Sequence, residues 1–159
     1  MKICIIRHGS AVLGGDEDAT RALTPKGLLQ AQGAGRWVNS LIAQGQLSDN
    51  AEIIASPYLR AQQTAAEVAA ACKKPITTDS TITPAGAATA VVDKLTGATQ
   101  DIILVSHLPL VGRLAARLVD GEEFDQPWSP AECWLLEGEI AASGCMTVTS
   151  VWYPALEGI

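Results

Sequence analysis

The stretch ICIIRHG at residues 3–9 decides the fold of this chain. It opens with four apolar residues and then turns polar with an arginine, a histidine and a glycine. Short apolar runs with polar ends are typical of buried strands in an α/β sheet. A second such run, IILV at 102–105, is followed by Ser106 and His107. Ligands of open α/β sheets bind outside the carboxyl ends of the strands, so His8 and His107, the only histidines, are predicted to lie where the chemistry takes place.

Strand and helix patterns alternate along the rest of the chain. Two predicted helices begin with a hydroxyl residue as N-cap and a proline at the first helical position, at Thr24-Pro25 and at Ser56-Pro57. Near the C-terminus apolar and polar residues alternate, which predicts an antiparallel hairpin. The predicted strands cover about 2–6, 52–55, 102–105, 132–137 and 145–152, and the predicted helices cover about 25–42, 57–72, 84–95 and 109–119.

These elements predict a single α/β domain over residues 1–159. Its predicted architecture is a three-layer sandwich, in which helices flank a mostly parallel central sheet and the chain ends in the antiparallel hairpin. A chain of this length buries roughly 70% of its unfolded surface on folding. No repeat, linker or low-complexity tract divides it.

Charge and composition exclude several classes of partner. The chain has 11 Lys and Arg against 17 Asp and Glu, a formal net charge of −6, which argues against a nucleic-acid partner. No apolar stretch approaches the ~18 residues of a membrane span, so no membrane partner is predicted. The four cysteines show neither CxxC pairs nor metal-ligand spacing, which indicates free thiols in a reducing compartment. We therefore expect a cytoplasmic protein with no metal and no cofactor.

Polar groups follow three of the predicted strands, and together they suit a phosphate. Arg7 and Arg60 offer guanidinium groups, which match phosphate oxygens in bidentate fashion. Helices predicted after Ser56 and His107 add backbone N–H groups and the positive end of a helix dipole. A neutral imidazole among these arginines, its pKa held low by the nearby cations, can attack phosphorus, and the second imidazole can donate to the oxygens of the transition state. Because the cations already neutralise the charge, no metal is required.

Four motifs stand in a fixed order along the chain. They are RHG at 7–9, LTPKG at 23–27 with Gln30 shortly after it, SPYLRAQQTA at 56–65 and VSH at 105–107. Together they resemble the motifs of the histidine phosphatase superfamily, also called the phosphoglycerate mutase-like fold. RHG alone is common by chance, but four ordered matches are specific.

The resemblance implies a role for each matching residue. His8 is implied as the nucleophile that becomes phosphohistidine. Arg7, Arg60 and His107 are implied as the phosphate pocket. Arg21, just before the second motif, resembles an additional phosphate-contacting arginine of small members of the family, and a surface salt bridge is the alternative interpretation.

The chain departs from the larger branches of this superfamily at the general acid. The acid-phosphatase branch has an aspartate straight after the second histidine, where this chain has Leu108. The mutase branch has a glutamate beyond the second arginine, in a region where this chain offers only Asp79. Hydrolysis of a phosphoramidate needs such an acid least, because imidazole is a better leaving group than an alkoxide and solvent can protonate its free ring nitrogen. The missing acid, the short length and the stretch HLPLVG at 107–112 resemble the SixA-type phosphohistidine phosphatases.

The leading prediction is therefore a metal-independent phosphatase that hydrolyses phosphohistidine on a protein, such as a histidine phosphotransfer domain, through phospho-His8. The first alternative is a phosphomonoesterase for a phosphorylated small molecule. A carboxylate near the pocket, from Glu17, Asp18 or Asp79, would favour it, but Glu17 and Asp18 are interpreted as solvated loop charges. The second alternative is a module that binds phosphoproteins without turnover, and the intact nucleophile and pocket argue against it.

Overall fold

A six-stranded sheet forms the middle layer of the protein, whose residues 1–159 are all described by a computed structural model. The strands are β1 (Lys2–Arg7), β2 (Glu52–Ala55), β3 (Ile76–Thr78), β4 (Ile102–Ser106), β5 (Cys133–Glu137) and β6 (Thr147–Trp152). The helices are α1 (Pro25–Ala43), α2 (Leu59–Cys72), α3 (Ala88–Thr96) and α4 (Leu110–Asp120), and short 3₁₀ turns lie at Asp18–Thr20, Ser80–Ile82 and Pro154–Glu157. None of the helices combines the length and the apolar character that crossing a membrane requires.

The strand order explains why the two histidines meet. It is β3-β2-β4-β1-β5-β6, with the first four strands parallel and β5 antiparallel to both of its neighbours. The prediction of a mostly parallel sheet with a C-terminal antiparallel hairpin is confirmed. β1 and β4 are adjacent, and Arg7 lies opposite Ser106. Since His8 and His107 each follow by one residue, the two imidazoles leave the sheet side by side at its carboxyl edge.

Alternating residues of β1 supply the two faces of the sheet. Ile3 and Ile5 belong to a core shared with α3 and α4, whereas Cys4 and Ile6 belong to a second core shared with α1 and α2. All four side chains are fully buried. A strand that is covered on both faces has to be apolar throughout, which is why this strand is a continuous apolar run in the sequence. Helices on both faces confirm the three-layer sandwich.

The start of α2 differs from the prediction. This helix begins at Leu59 and not at Pro57, so Ser56 is not its N-cap. The Ser56 N–H donates to Val105 O at 3.0 Å and continues the β2–β4 ladder. A residue that precedes proline also avoids the helical region. Both constraints keep Ser56 extended, and its hydroxyl is left for a contact with His107.

Two further elements differ from the sequence pattern. α3 begins at Ala88 and not near Pro84, because the chain first makes a turn in which Gly86 N–H donates to Thr83 O at 2.9 Å. The strand β3 was not predicted. It has only three residues at the edge of the sheet, two of them exposed, and this is too short for a periodic signal.

Candidate active site

A cavity of about 360 Å³ opens at the carboxyl edge of the sheet. Its walls come from the end of β1, the loop that follows, the first turn of α2 and the loop after β4. All five residues predicted for the site line this cavity: Arg7, His8, Arg21, Arg60 and His107. The fold thus brings together side chains that are far apart in the sequence.

The loop after β1 passes the first turn of α1 so closely that only glycines fit. A Cβ atom added to Gly27 would lie 2.0 Å from Ser10 O, and a Cβ atom added to Gly9 would lie 2.6 Å from Gly27 O. The side chain of Gln30 in α1 accepts a hydrogen bond from Ser10 N–H at 2.9 Å. The glycines of the RHG and LTPKG motifs are therefore steric requirements for the position of His8.

The hydrogen bonds of His8 fix its tautomer. Nδ1 lies 2.6 Å from Gly9 O, and since a carbonyl oxygen can only accept, Nδ1 carries the ring proton. Nε2 accepts a hydrogen bond from Arg60 Nε at 3.3 Å, so it presents a lone pair. The residue is 8% exposed, and the cavity is its contact with solvent. Nε2 is thus the nitrogen that can act as a nucleophile.

The surroundings keep this imidazole neutral. Burial is the largest cause that lowers the pKa of His8 to about 4, and the charges of Arg60, Arg7 and Arg21 act in the same direction. The carbonyl of Gly9 opposes them. The direction of this shift agrees with the prediction, but burial contributes more to it than the cations that were predicted as its cause.

Arg60 is buried in the first turn of α2. Its exposed fraction is 3%, and its guanidinium lies 5.1 Å from the centre of the Tyr58 ring. Nε donates to His8 Nε2, Nη1 donates to the backbone oxygen of Asp18 at 2.7 Å, and Nη2 donates to the Asp18 carboxylate at 3.1 Å. One guanidinium therefore connects the lone pair of His8 to the 3₁₀ turn that begins at Asp18.

Asp18 lies at the edge of the cavity, exposed as predicted, but its carboxylate also forms two ion pairs that the sequence did not indicate. Its carboxylate bridges Arg60 and Arg21, with Oδ1 2.9 Å from Arg21 Nε. Glu17, its neighbour, is exposed, as predicted. Desolvation acts to raise the pKa of the Asp18 carboxyl, but the hydrogen bonds and charges of both arginines outweigh it and lower the pKa. Asp18 is therefore an ionised acceptor with no proton to give at neutral pH.

Asp79, the other carboxylate considered, lies outside the cavity. Its Oδ1 accepts from Thr81 N–H at 2.9 Å, and its Oδ2 pairs with Lys94 Nζ at 2.8 Å. Desolvation acts to raise the pKa of Asp79, but these partners lower it overall. No carboxylate is among the residues that line the cavity.

Two nitrogens of cavity residues are buried without a hydrogen-bond partner, Arg7 Nε and His107 Nδ1. Arg7 Nη1 donates to Trp128 O at 2.6 Å, and burial lowers the pKa of Arg7 while Glu132 opposes the shift. The ring of His107 lies 5.1 Å from that of His8, and burial, followed by the charge of His8, lowers the pKa of His107 to about 3. A buried polar atom without a partner costs free energy, so both nitrogens suit the oxygens of a bound ligand.

Two supporting contacts were missed by the sequence reasoning. Thr64 Oγ1 accepts from Gly9 N–H at 3.1 Å and donates to Arg60 O at 2.8 Å, so it joins the loop after β1 to α2. Gln63 Oε1 accepts from Leu23 N–H at 2.7 Å. Both residues belong to the SPYLRAQQTA motif, and their membership in it was the available signal.

The groups in the cavity favour an anion. Its charged side chains are three arginines, and its two imidazoles lie beside them. No group of three or more His, Cys, Asp or Glu side chains in the structure is arranged to hold a metal ion. A phosphoryl group fits this donor set, since guanidinium and neutral N–H groups bind its oxygens.

Comparison with known proteins places these features in a family. Residues 3–83 match the model of the histidine phosphatase superfamily (branch 1). Phosphohistidine phosphatase SixA of Escherichia coli (strain K12) is 34% identical over 128 residues, which are 77% of this chain and 76% of that protein. A phosphohistidine phosphatase SixA homolog of Haemophilus influenzae is 35% identical over 126 residues, 74% of this chain and 77% of its own.

A solved structure has the same fold over nearly the whole chain. The protein histidine phosphatase SixA complexed with tungstate superposes with a TM-score of 0.84 at 27% identity. The superposition covers 99% of this chain and 99% of that protein. The sheet, its flanking helices and the C-terminal hairpin are therefore shared between the two.

Proposed function

The chain belongs to the histidine phosphatase superfamily, among its SixA-type members, and on this premise we propose that it hydrolyses phosphohistidine carried on proteins. The observation that carries the proposal is the neutral Nε2 lone pair of His8 beside arginine donors, in a cavity that no carboxylate lines. In this proposal His8 is the nucleophile, Arg7, Arg60 and His107 bind the phosphoryl oxygens, and Arg21 is a further phosphate contact. The names of the two relatives support phosphohistidine as the substrate class.

In the first step His8 Nε2 attacks phosphorus in line with the P–N bond of the substrate. That bond breaks as the P–N bond to His8 forms, and the leaving nitrogen keeps the electron pair. Solvent protonates the other ring nitrogen of the substrate imidazole, so it leaves as a neutral molecule. Arg7, Arg60 and the N–H of His107 stabilise the charge on the oxygens, and one such donor typically contributes 10²–10³ in rate.

In the second step water attacks phospho-His8. Nδ1 of His8 keeps its proton, which is hydrogen-bonded to the Gly9 carbonyl. The phosphorylated ring is therefore cationic, and it leaves phosphorus as a neutral imidazole. The water oxygen forms the new P–O bond, its proton passes to solvent or to a phosphate oxygen, and inorganic phosphate is released. His8 returns to its starting tautomer without a proton relay, because Nδ1–H takes no part in the bond changes.

The position of Asp18 bears on the phosphomonoesterase alternative. An ester needs a protonated acid for its alkoxide leaving group. Asp18 is near the cavity, but Arg60 and Arg21 hold its carboxylate and lower its pKa, so it is ionised at neutral pH. An imidazole leaving group does not need this proton, and the site therefore favours a phosphoramidate substrate over an ester.

The proposal is tested by phosphate release from two substrates. One is a histidine phosphotransfer domain phosphorylated on histidine, and the other is p-nitrophenyl phosphate. We expect rapid release from the first, slow release from the second and no change in either rate with EDTA. His8→Ala should abolish turnover, and His8→Asn, which retains a polar group near the position of Nδ1, should also be inactive while keeping the fold.

Three outcomes would contradict the proposal. Full activity of His8→Ala would exclude the covalent mechanism. Turnover of the ester equal to that of the phosphoprotein would show that a general acid acts in this site, and the small-molecule phosphatase would replace the present assignment. Binding of the phosphoprotein without any phosphate release would favour a non-catalytic module.

A further inference from the structure

The hydroxyl of Ser56 contacts the second histidine at the end of β2. Ser56 Oγ lies 2.7 Å from His107 Nε2, and both residues are buried, with exposed fractions of 0% and 1%. Oγ also accepts a hydrogen bond from Tyr58 N–H at 3.2 Å. The ring of Tyr58 meets the imidazole edge to face at 5.1 Å, so the imidazole is held from two sides.

The number of protons at this contact decides its direction. A serine hydroxyl carries one proton, and Oγ already accepts the N–H of Tyr58. If Nε2 of His107 also donated to Oγ, the hydroxyl proton would have no acceptor in a fully buried place. Leaving such a donor unpaired costs about 1–3 kcal/mol. If instead the hydroxyl donates to Nε2, every group at this contact is satisfied.

We propose that Ser56 is a positioning residue that fixes His107 in its Nδ1–H tautomer and thereby makes the second imidazole a hydrogen-bond donor to the phosphoryl group. Nδ1 is the ring nitrogen of His107 that has no partner in the protein. Its role toward the phosphoryl group rests on the proposed function, whereas the tautomer itself does not.

The two imidazoles thus have the same tautomer but opposite functions toward the phosphoryl group. In His8 the protonated Nδ1 is bonded to the Gly9 carbonyl, and the lone pair of Nε2, which accepts from Arg60 Nε in the free protein, is the one that attacks phosphorus. In His107 the lone pair of Nε2 is bonded to Ser56, and Nδ1 has no partner in the protein, so its N–H is left for an oxygen of the phosphoryl group. One imidazole is set up to attack phosphorus and the other to bind its oxygens.

The tautomer is measured by ¹⁵N NMR of the full chain labelled on histidine, at pH 7.5. Because the chain has only two histidines, the spectrum of His8→Asn contains the signals of His107 alone and so assigns them. We expect Nδ1 of His107 to be of the protonated, pyrrole type and Nε2 to be of the pyridine type. In Ser56→Ala the Nε2–H form of His107 should become populated. A wild-type protein with His107 in the Nε2–H form, or a Ser56→Ala spectrum with an unchanged tautomer, would overturn the proposal.

The kinetic consequence is measured with the phosphohistidine protein as substrate. Ser56→Ala should lower kcat about tenfold. This is less than the 10²–10³-fold decrease expected for loss of a whole donor, because part of the variant molecules still has His107 in the Nδ1–H form. KM should stay within about twofold, since the interaction strengthens in the transition state. Ser56→Thr keeps the hydroxyl and should restore both kcat and the tautomer. Wild-type kcat in Ser56→Ala, together with an altered tautomer, would exclude the donor role.

Ser106→Ala is the matched control. Ser106 is also a buried serine at the end of a strand, next to His107 in the sequence, but its hydroxyl donates to Ile82 O at 2.6 Å and not to an imidazole. In Ser106→Ala, kcat and the tautomers of both histidines should remain those of the wild type. A decrease in kcat as large as that of Ser56→Ala would refute a specific role for Ser56. If the wild type releases no phosphate, the proposed function fails, while the NMR result on the tautomer still stands.

Discussion

Acidification is expected to destabilise the folded protein through His8. Its pKa in the folded state is lowered to about 4 by burial and by the nearby arginines, against an ordinary value of 6.5 in the unfolded chain. Between these two values the unfolded chain binds the proton and the folded protein does not. The free energy of unfolding therefore falls as the pH drops below 6.5 and stops falling, as far as this group is concerned, below about 4.

The size of this effect follows from the two pKa values. At pH 5.0 nearly all unfolded molecules carry the extra proton, whereas about nine in ten folded molecules have a neutral His8. Relative to pH 7.5 the loss amounts to about 2 kcal/mol from this residue alone. His107, with its pKa lowered to about 3, changes the stability in the same direction.

Urea unfolding of the wild type and of His8→Asn at pH 7.5 and pH 5.0 isolates this contribution. Carboxylates such as Asp79 titrate alike in both proteins, so their effect cancels in the difference. The wild type should lose about 2 kcal/mol more than the variant on acidification. An equal loss in both proteins would refute the reasoning, and so would a ¹⁵N titration in which the ring of His8 protonates near pH 6.5.

Two substitutions test the geometry of the site. Arg60→Lys removes the planar guanidinium that donates to three acceptors, so kcat/KM in the phosphate-release assay should fall about 10²-fold. Arg113→Lys is the control, because Arg113 forms an exposed ion pair outside the cavity, and it should leave kcat/KM unchanged. Gly27→Ala places a methyl group against Ser10 O and should lower the free energy of unfolding by about 1–3 kcal/mol in urea titrations. Gly97→Ala, whose new Cβ would meet no atom closer than 3.7 Å, should change it by less than about 0.5 kcal/mol, and equal losses for the two glycines would contradict the steric argument.

Local patterns were sufficient to predict five of the six strands and the positions of the two histidines at the strand ends. A strand buried on both faces is a run of apolar residues, so β1 and β4 were visible, and each run ends two residues before its histidine. The start of α1 was also local, since Thr24 accepts a hydrogen bond from Gly27 N–H as an N-cap does and Pro25 is the first helical residue. The parallel pairing of the two strands then brings the imidazoles together.

Features that depend on distant contacts were not visible in the sequence. Ser56-Pro57 has the composition of a helix start, but a sheet hydrogen bond to Val105 keeps the chain extended there. Asp18 belongs to a polar loop, and only the folded chain places it against Arg60. A pattern of residue types shows that Asp18 is an exposed loop carboxylate, but it cannot show that a buried guanidinium also pairs with it, because the loop composition is the same in both cases.

Because Asp18 already occupies Arg60, a phosphoryl group can bind this guanidinium only in exchange for Asp18. Both outer nitrogens of the guanidinium already have oxygen partners, so a phosphoryl group that binds them displaces the resident carboxylate and carbonyl. The net affinity is then a difference between two similar ion pairs, and free inorganic phosphate gains little from it. We expect the turn at Asp18 to weaken the binding of free phosphate, which is the product, and so to limit its inhibition of the next turnover.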